Sequence, residues 1–120
     1  MKSICPNKIQ SLKEDFLLID IREKFEFDTH KADSQNLINI PFSEIDENLE
    51  ILPKNKLLIL ICNNGLRSET AAKYLMERNF ENITFIEGGL LKWQQNGMEI
   101  LGNPPDFISH SLSLTKDCNS

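Results

Sequence analysis

The sequence predicts an α/β fold: a central, mostly parallel sheet with helices on both faces. Three observations carry this. Short apolar runs at residues 16–19, Leu57–Ile61 and 83–86 have the length and aliphatic content of strands buried on both faces. Segments with helical spacing lie between them, clearest where Ala71, Ala72, Leu75 and Met76 repeat after Arg67. Strand–helix alternation of this kind returns each strand parallel to the last, with helical layers on either side. A length of 120 residues suits one such core.

In chain order, Ser3 and Ile4 read as a short extended start. A brief helix follows, with Pro6 at its first position and Ile9 and Leu12 facing inward. The strand at 16–19 ends at Asp20, which is placed to cap the turn over residues 21–28. On pattern alone, Arg22-Glu23-Lys24 reads as a solvated helix face. Residues 29–36 read as loop, with His30 on the surface, and a short strand follows at 37–40. Ser43 reads as the N-cap of a helix over 44–51, with Asp46 completing a capping-box-like arrangement. Ile45, Leu49 and Leu52 give that segment its apolar stripe, and residues 53–56 turn the chain into Leu57–Ile61.

After the next helix, Asn79 is a C-cap candidate. The strand at 83–86 leads through Gly88-Gly89 into a helix reaching about Gln95, with Trp93 in the core and Gly97 as the stop. Residues 1–102 are thereby read as the domain. Residues 103–120 are read as a tail, because two prolines and then Ser, Thr, Asp and Asn dominate there.

The chemistry concentrates in one stretch, LLILICNNGLRSETAA, residues 57–72. Cys62 sits at the tip of a buried strand. Asn63, Asn64 and Gly65 favour a tight turn and tolerate positive φ. Arg67 and Ser68 open a helix. Successive amides in such a loop, with the unpaired amides of the first helical turn, form an anion cradle. A thiol placed there is expected to ionise more readily than a free one, and Arg67 adds a planar fork suited to oxyanions. The bland alternative is a small buried hydrophobe at a strand end. Cys62 is the candidate nucleophile, and Asn63, Asn64, Gly65, Leu66, Arg67 and Ser68 are the candidate substrate-binding residues.

Three segments resemble those of rhodanese-type sulfurtransferases. Cys62-Asn-Asn-Gly-Leu-Arg67-Ser68 resembles the active-site loop C-x-x-G-x-R-S. Asp20-Ile-Arg22-Glu-Lys-Phe-Glu26-Phe resembles D-x-R-x-x-x-E-[FY], and Glu87-Gly88-Gly89-Leu-Leu-Lys-Trp93 resembles G-G-x-x-x-W. Together they span about residues 4–100 in the family's order. The resemblance implies a rhodanese-like fold with about five strands. It implies ping-pong transfer of a sulfane sulfur, from a donor such as thiosulfate, through a persulfide on Cys62 to a thiophilic acceptor. It also implies that Asp20 and Arg22 support the active loop. One departure is clear. Many members carry a His eight residues before the Pro of N-I-P, whereas His30 lies eleven before Pro41 and lacks the flanking Gly and Ile. His30 is therefore not given the family position.

Two rivals are weighed. Cysteine phosphatases and arsenate reductases use a similar cradle with C-x5-R, but here four residues separate Cys62 from Arg67. A tighter ring suits one sulfur atom better than a tetrahedral phosphate. The second rival is a sulfur carrier or a rhodanese-like interaction module; the presence of Cys62 argues against lost chemistry but leaves a carrier open. Asn63, Asn64 and Leu66 make the loop weakly basic, so poor use of thiosulfate and a preference for a less anionic or protein-bound donor are expected.

A net charge of −5 argues against a nucleic-acid partner, and no apolar run reaches membrane length. The first ten residues lack an apolar signal region. Cys5, Cys62 and Cys118 have no metal-ligand spacing, so no metal or cofactor is expected. A reducing cytoplasm is the simplest setting, with a Cys5–Cys118 disulfide left open. The expected partners are a small-molecule or protein sulfur donor and a thiol acceptor.

Overall fold

The computed structural model describes residues 2–103. After a 3₁₀ helix at Pro6–Ser11, the chain forms β1 (Phe16–Asp20), α1 (Lys24–Thr29), β2 (His30–Ala32), β3 (Leu37–Asn39), β4 (Leu57–Ile61), α2 (Leu66–Met76), β5 (Ile83–Phe85), α3 (Gly89–Gln95) and β6 (Ile100–Gly102). Four strands make a parallel sheet in the order β3-β1-β4-β5. β4 lies inside it with all five residues buried. It pairs with β1 from Phe16↔Leu57 to Asp20↔Ile61, and with β5 from Leu58↔Ile83 to Leu60↔Phe85. The fifth strand is reduced to one parallel bridge, Ile4↔Ile86. Pro6, which has no N–H and sits at the first position of the 3₁₀ helix, ends the extended start at once.

Alternation along β1 and β4 divides the core in two. Ile19, Leu58 and Leu60 face Ala71, Ala72 and Leu75 of α2, together with Ile45 and Leu52. Leu18, Leu57, Ile59 and Ile61 face Ile9, Leu90 and Trp93. Each fully buried aliphatic side chain of this set contributes about 1.5–3 kcal/mol relative to exposure. Helices therefore cover both faces, as the continuous apolar runs require. α2 ends in a Schellman arrangement: Asn79 takes φ 72°, its amide donates to Met76 O at 3.1 Å, and the Phe80 amide donates to Leu75 O at 3.2 Å.

Four local expectations are corrected. Residues 30–32 are not loop but β2, paired antiparallel with β6 through His30↔Gly102 and Ala32↔Ile100. These strands are three residues long and far apart in sequence, so no local pattern announces them. His30 is consequently buried rather than on the surface. The segment after Pro41 forms two 3₁₀ helices, Phe42–Glu44 and Asp46–Ile51. Ser43 lies inside the first of these, so it cannot cap; its hydroxyl donates to Glu23 Oε2 at 3.1 Å. Ile45 and Leu52 still point inward. Finally, α1 is capped by Glu23 in a box with Glu26, not by Asp20, whose carboxylate accepts the Arg22 amide in the turn before it. Residues 104–120, most of the expected tail, lie outside the described residues. Among the described residues no helix is long and apolar enough to cross a membrane.

Candidate active site

β4 delivers Cys62 to the carboxyl edge of the sheet, where ligands of open α/β sheets gather. The Cys62 side chain is fully buried and its thiol is free. Sγ accepts the Gly65 amide at 3.1 Å and the Ser68 amide at 3.4 Å. Gly65 can supply that amide because it turns through φ 93°, a conformation that L side chains resist. Ser68 supplies the third amide of α2, one of the four that have no partner within the helix. The Leu66 amide is instead taken by Asn64 Oδ1 at 3.0 Å.

The loop is held from behind by α3. The Leu90 amide donates to Cys62 O at 2.8 Å and the Leu91 amide to Asn63 O at 2.9 Å. A Cβ on Gly89 would stand 2.4 Å from Cys62 O and 2.6 Å from Asn63 C. Gly89 is therefore what lets the helix come close enough to make these bonds.

Beside the cradle runs a chain of polar contacts. Asp20 and Arg22 are both fully buried, with Arg22 Nε on Asp20 Oδ1 at 3.0 Å and Nη2 on Oδ2 at 2.8 Å. The solvated-face reading of Arg22 is thus overturned. Arg22 Nη2 also donates to His30 O at 2.6 Å, and Nη1 donates to Asn63 Oδ1 at 3.3 Å. Asn63 Nδ2 passes the contact on to Glu26 Oε2 at 3.0 Å. Glu26 then takes Arg67 in both oxygens, Nη1 on Oε1 at 3.1 Å and Nη2 on Oε2 at 3.2 Å. Asn39 Nδ2 fixes the start of the chain by donating to the backbone oxygens of Asp20 and Arg22.

The electrostatics follow from these partners. Burial pushes the Glu26 carboxyl up, but the Arg67 hydrogen bonds, the Glu23 amide and Asn63 outweigh it, and its pKa lies below the ordinary value. The hydrogen bonds that Arg67 donates to Glu26 hold the Arg67 pKa above the ordinary value. Burial, then the neighbouring Arg22 charge, pushes the His30 pKa below its ordinary value.

The structure therefore brings Cys62, Gly65 and Ser68 around the sulfur. It places Asn63 and Arg67 against Glu26, leaves Leu66 67% exposed, and sets Asp20 and Arg22 behind the loop through Asn63. Glu26, His30 and Asn39 carry contacts that the sequence reading did not assign. Glu26 was visible as the acidic position of the D-x-R-x-x-x-E segment, and Asn39 as the first residue of Asn39-Ile40-Pro41, which keeps the N-I-P pattern; nothing local marked His30. Ser68 Oγ is buried with no hydrogen-bond partner among the described residues.

Comparison with known proteins bears on family and fold. A family model described as Rhodanese-like domain matches residues 6–96. "Putative sulfurtransferase YtwF" of Bacillus subtilis is 35% identical over 83 residues, covering 68% of this chain and 76% of that protein. The tRNA uridine(34) hydroxylase of Photorhabdus laumondii is 27% identical over 104 residues, and the match spans only 29% of that protein. A rhodanese-related protein from Thermoplasma volcanium superposes with a TM-score of 0.74 at 31% identity, covering 86% of this chain and all of that one.

Proposed function

This chain belongs to the rhodanese-like family, and from that premise we propose that it transfers a sulfane sulfur through a persulfide on Cys62. The observation that carries the reading is the pair of amides, from Gly65 and Ser68, directed at Sγ. Donors preset at a position where negative charge sits or develops need no rearrangement during reaction.

In the first half-reaction, the Cys62 thiolate attacks the outer sulfur of a donor R–S–SH. The new S–S bond forms as the old one breaks, and R–S⁻ leaves with the bonding pair. With thiosulfate the leaving group is sulfite. In the second half, an acceptor thiolate attacks the outer sulfur of the Cys62 persulfide, and the Cys62 thiolate is released. The buried Ser68 hydroxyl, which has no hydrogen-bond partner among the described residues, supports the reading, since a second sulfur in the cradle would give it an acceptor. Asp20 and Arg22 serve as positioning residues through Asn63.

The test is intact-mass measurement after exposure to thiosulfate and to a small-molecule persulfide. We expect a gain of one sulfur on the native chain and none on Cys62→Ser. A native chain that stays unmodified by every donor tried would overturn the proposal. The exposed apolar side chains of Phe25 and Leu66, flanking the Glu26–Arg67 pair in sequence, favour one second reading, a carrier that loads from and unloads to a partner protein's thiol. It would show as loading by a protein persulfide with negligible turnover on small donors.

A further inference from the structure

We propose that Glu26 is a specificity-determining residue: by holding Arg67 in a bidentate pair, it closes the cradle to dianionic oxyanion donors and leaves it open to persulfides of low charge. The inference deepens the sulfur-transfer reading and takes its meaning from it.

Arg67 is the loop's cation, and the loop offers a dianion nothing else of positive charge. Both of its terminal nitrogens are committed to Glu26, at 3.1 and 3.2 Å. Glu26 is itself fixed from two further directions. Its Oε1 accepts the Glu23 amide at 3.0 Å, and its Oε2 accepts Asn63 Nδ2 at 3.0 Å. Asn63 is pinned in turn by Arg22. The carboxylate therefore cannot swing aside without breaking the α1 capping box and the contact to the loop. A donor that needs the guanidinium must compete with a bound carboxylate for the same fork.

The charge count agrees. Asp20 is paired with Arg22 and Glu26 with Arg67, so neither guanidinium of the network is left without a carboxylate. What faces an incoming anion is then the partial charge of a few amides. A neutral or singly charged persulfide needs no more than that. Each partner of the pair also has an exposed apolar neighbour in sequence: Phe25 beside Glu26 is 72% exposed and Leu66 beside Arg67 is 67% exposed. Apolar side chains beside the pair suit an uncharged donor and give a dianion nothing.

The test separates this inference from the transfer reading, because its first arm needs no turnover. Thiosulfate is titrated into Cys62→Ser, followed by the Gly65 and Ser68 amide resonances and by calorimetry. Adding Glu26→Gln should tighten thiosulfate binding roughly tenfold or more, the effect of removing a unit charge at contact distance. Adding Arg67→Gln to that pair should reverse the gain. Unchanged affinity on Glu26→Gln would overturn the proposal, and so would a gain that survives Arg67→Gln. Glu26→Ala provides the same comparison should Glu26→Gln fail to fold. In the second arm, with Cys62 intact, the ratio of kcat/KM for thiosulfate to that for the persulfide should rise by the same factor in Glu26→Gln; a ratio that stays put would count against Glu26. Absence of sulfur gain on the native chain would sink the transfer reading alone, while the titration still decides the role of Glu26.

Discussion

Arg22 has no exposed surface, and its guanidinium is met by the Asp20 carboxylate, the His30 carbonyl and the Asn63 side chain. Such a buried pair is held by geometry; its net worth is small, yet deleting one partner strands the other's charge in the interior. Arg22→Met should therefore cost about 3–5 kcal/mol, read as a lower urea midpoint. Arg22→Lys should lie between, since a point charge replaces the fork but reaches fewer acceptors. Sequence reading reached Asp20, Arg22 and the loop around Cys62, because each stands in a recognisable string. It missed the links between them. Glu26 and Arg67 are forty-one positions apart, and only the folded chain shows that the loop's cation already has a partner. His30 was assigned to the surface because its neighbours look like a loop; its burial depends on a strand seventy positions away.

The elements matter for how they grip the loop. α3 reaches over Gly89 to place its amides on Cys62 O and Asn63 O. Gly89→Ala would force a Cβ to 2.4 Å from Cys62 O at a backbone with φ 60°. It should lower the melting temperature and slow persulfide formation together, because the carbonyl that must yield belongs to Cys62 itself. Gly97→Ala is the control. Its φ is 78°, but none of the described residues lies within 4 Å of an added Cβ, so only backbone strain of about 1 kcal/mol is expected and loading should proceed at the native rate. The long buried runs β1 and β4 and the helices α2 and α3 were legible, because their burial is written as an unbroken apolar string or a 3.6-residue period. β2 and β6 were not, because each owes its form to antiparallel pairing with a distant partner; the stripe of Ile45, Leu49 and Leu52 was legible in the segment after Pro41, but its break into two 3₁₀ helices was not.

For the molecule as a whole, acid is the natural stress. His30 is held below its ordinary pKa, by burial first and by Arg22 second, against weaker opposing pulls from Asp20 and Glu26. Glu26 is also held below its own. Both groups bind fewer protons folded than unfolded, so each adds stability above its unfolded pKa and loses it as pH falls. The urea midpoint should decline in two stages, the first beginning near pH 6.5 with His30 and the second beginning near pH 4.5 with Glu26. His30→Gln should remove the first stage. Glu26→Gln should flatten the second by about 1 kcal/mol or less, because Arg67 is 42% exposed and solvent screens the pair. A midpoint independent of pH across this range would contradict both assignments. The single bridge at Ile4 has a consequence of another kind. One rim of the parallel sheet is latched by that residue, and the other, β3, runs only from Leu37 to Asn39 before Pro41 removes the next donor but one. Among the described residues, a crowding neighbour finds only the three residues of β3 there to zip onto, a short template for fibrous ladders.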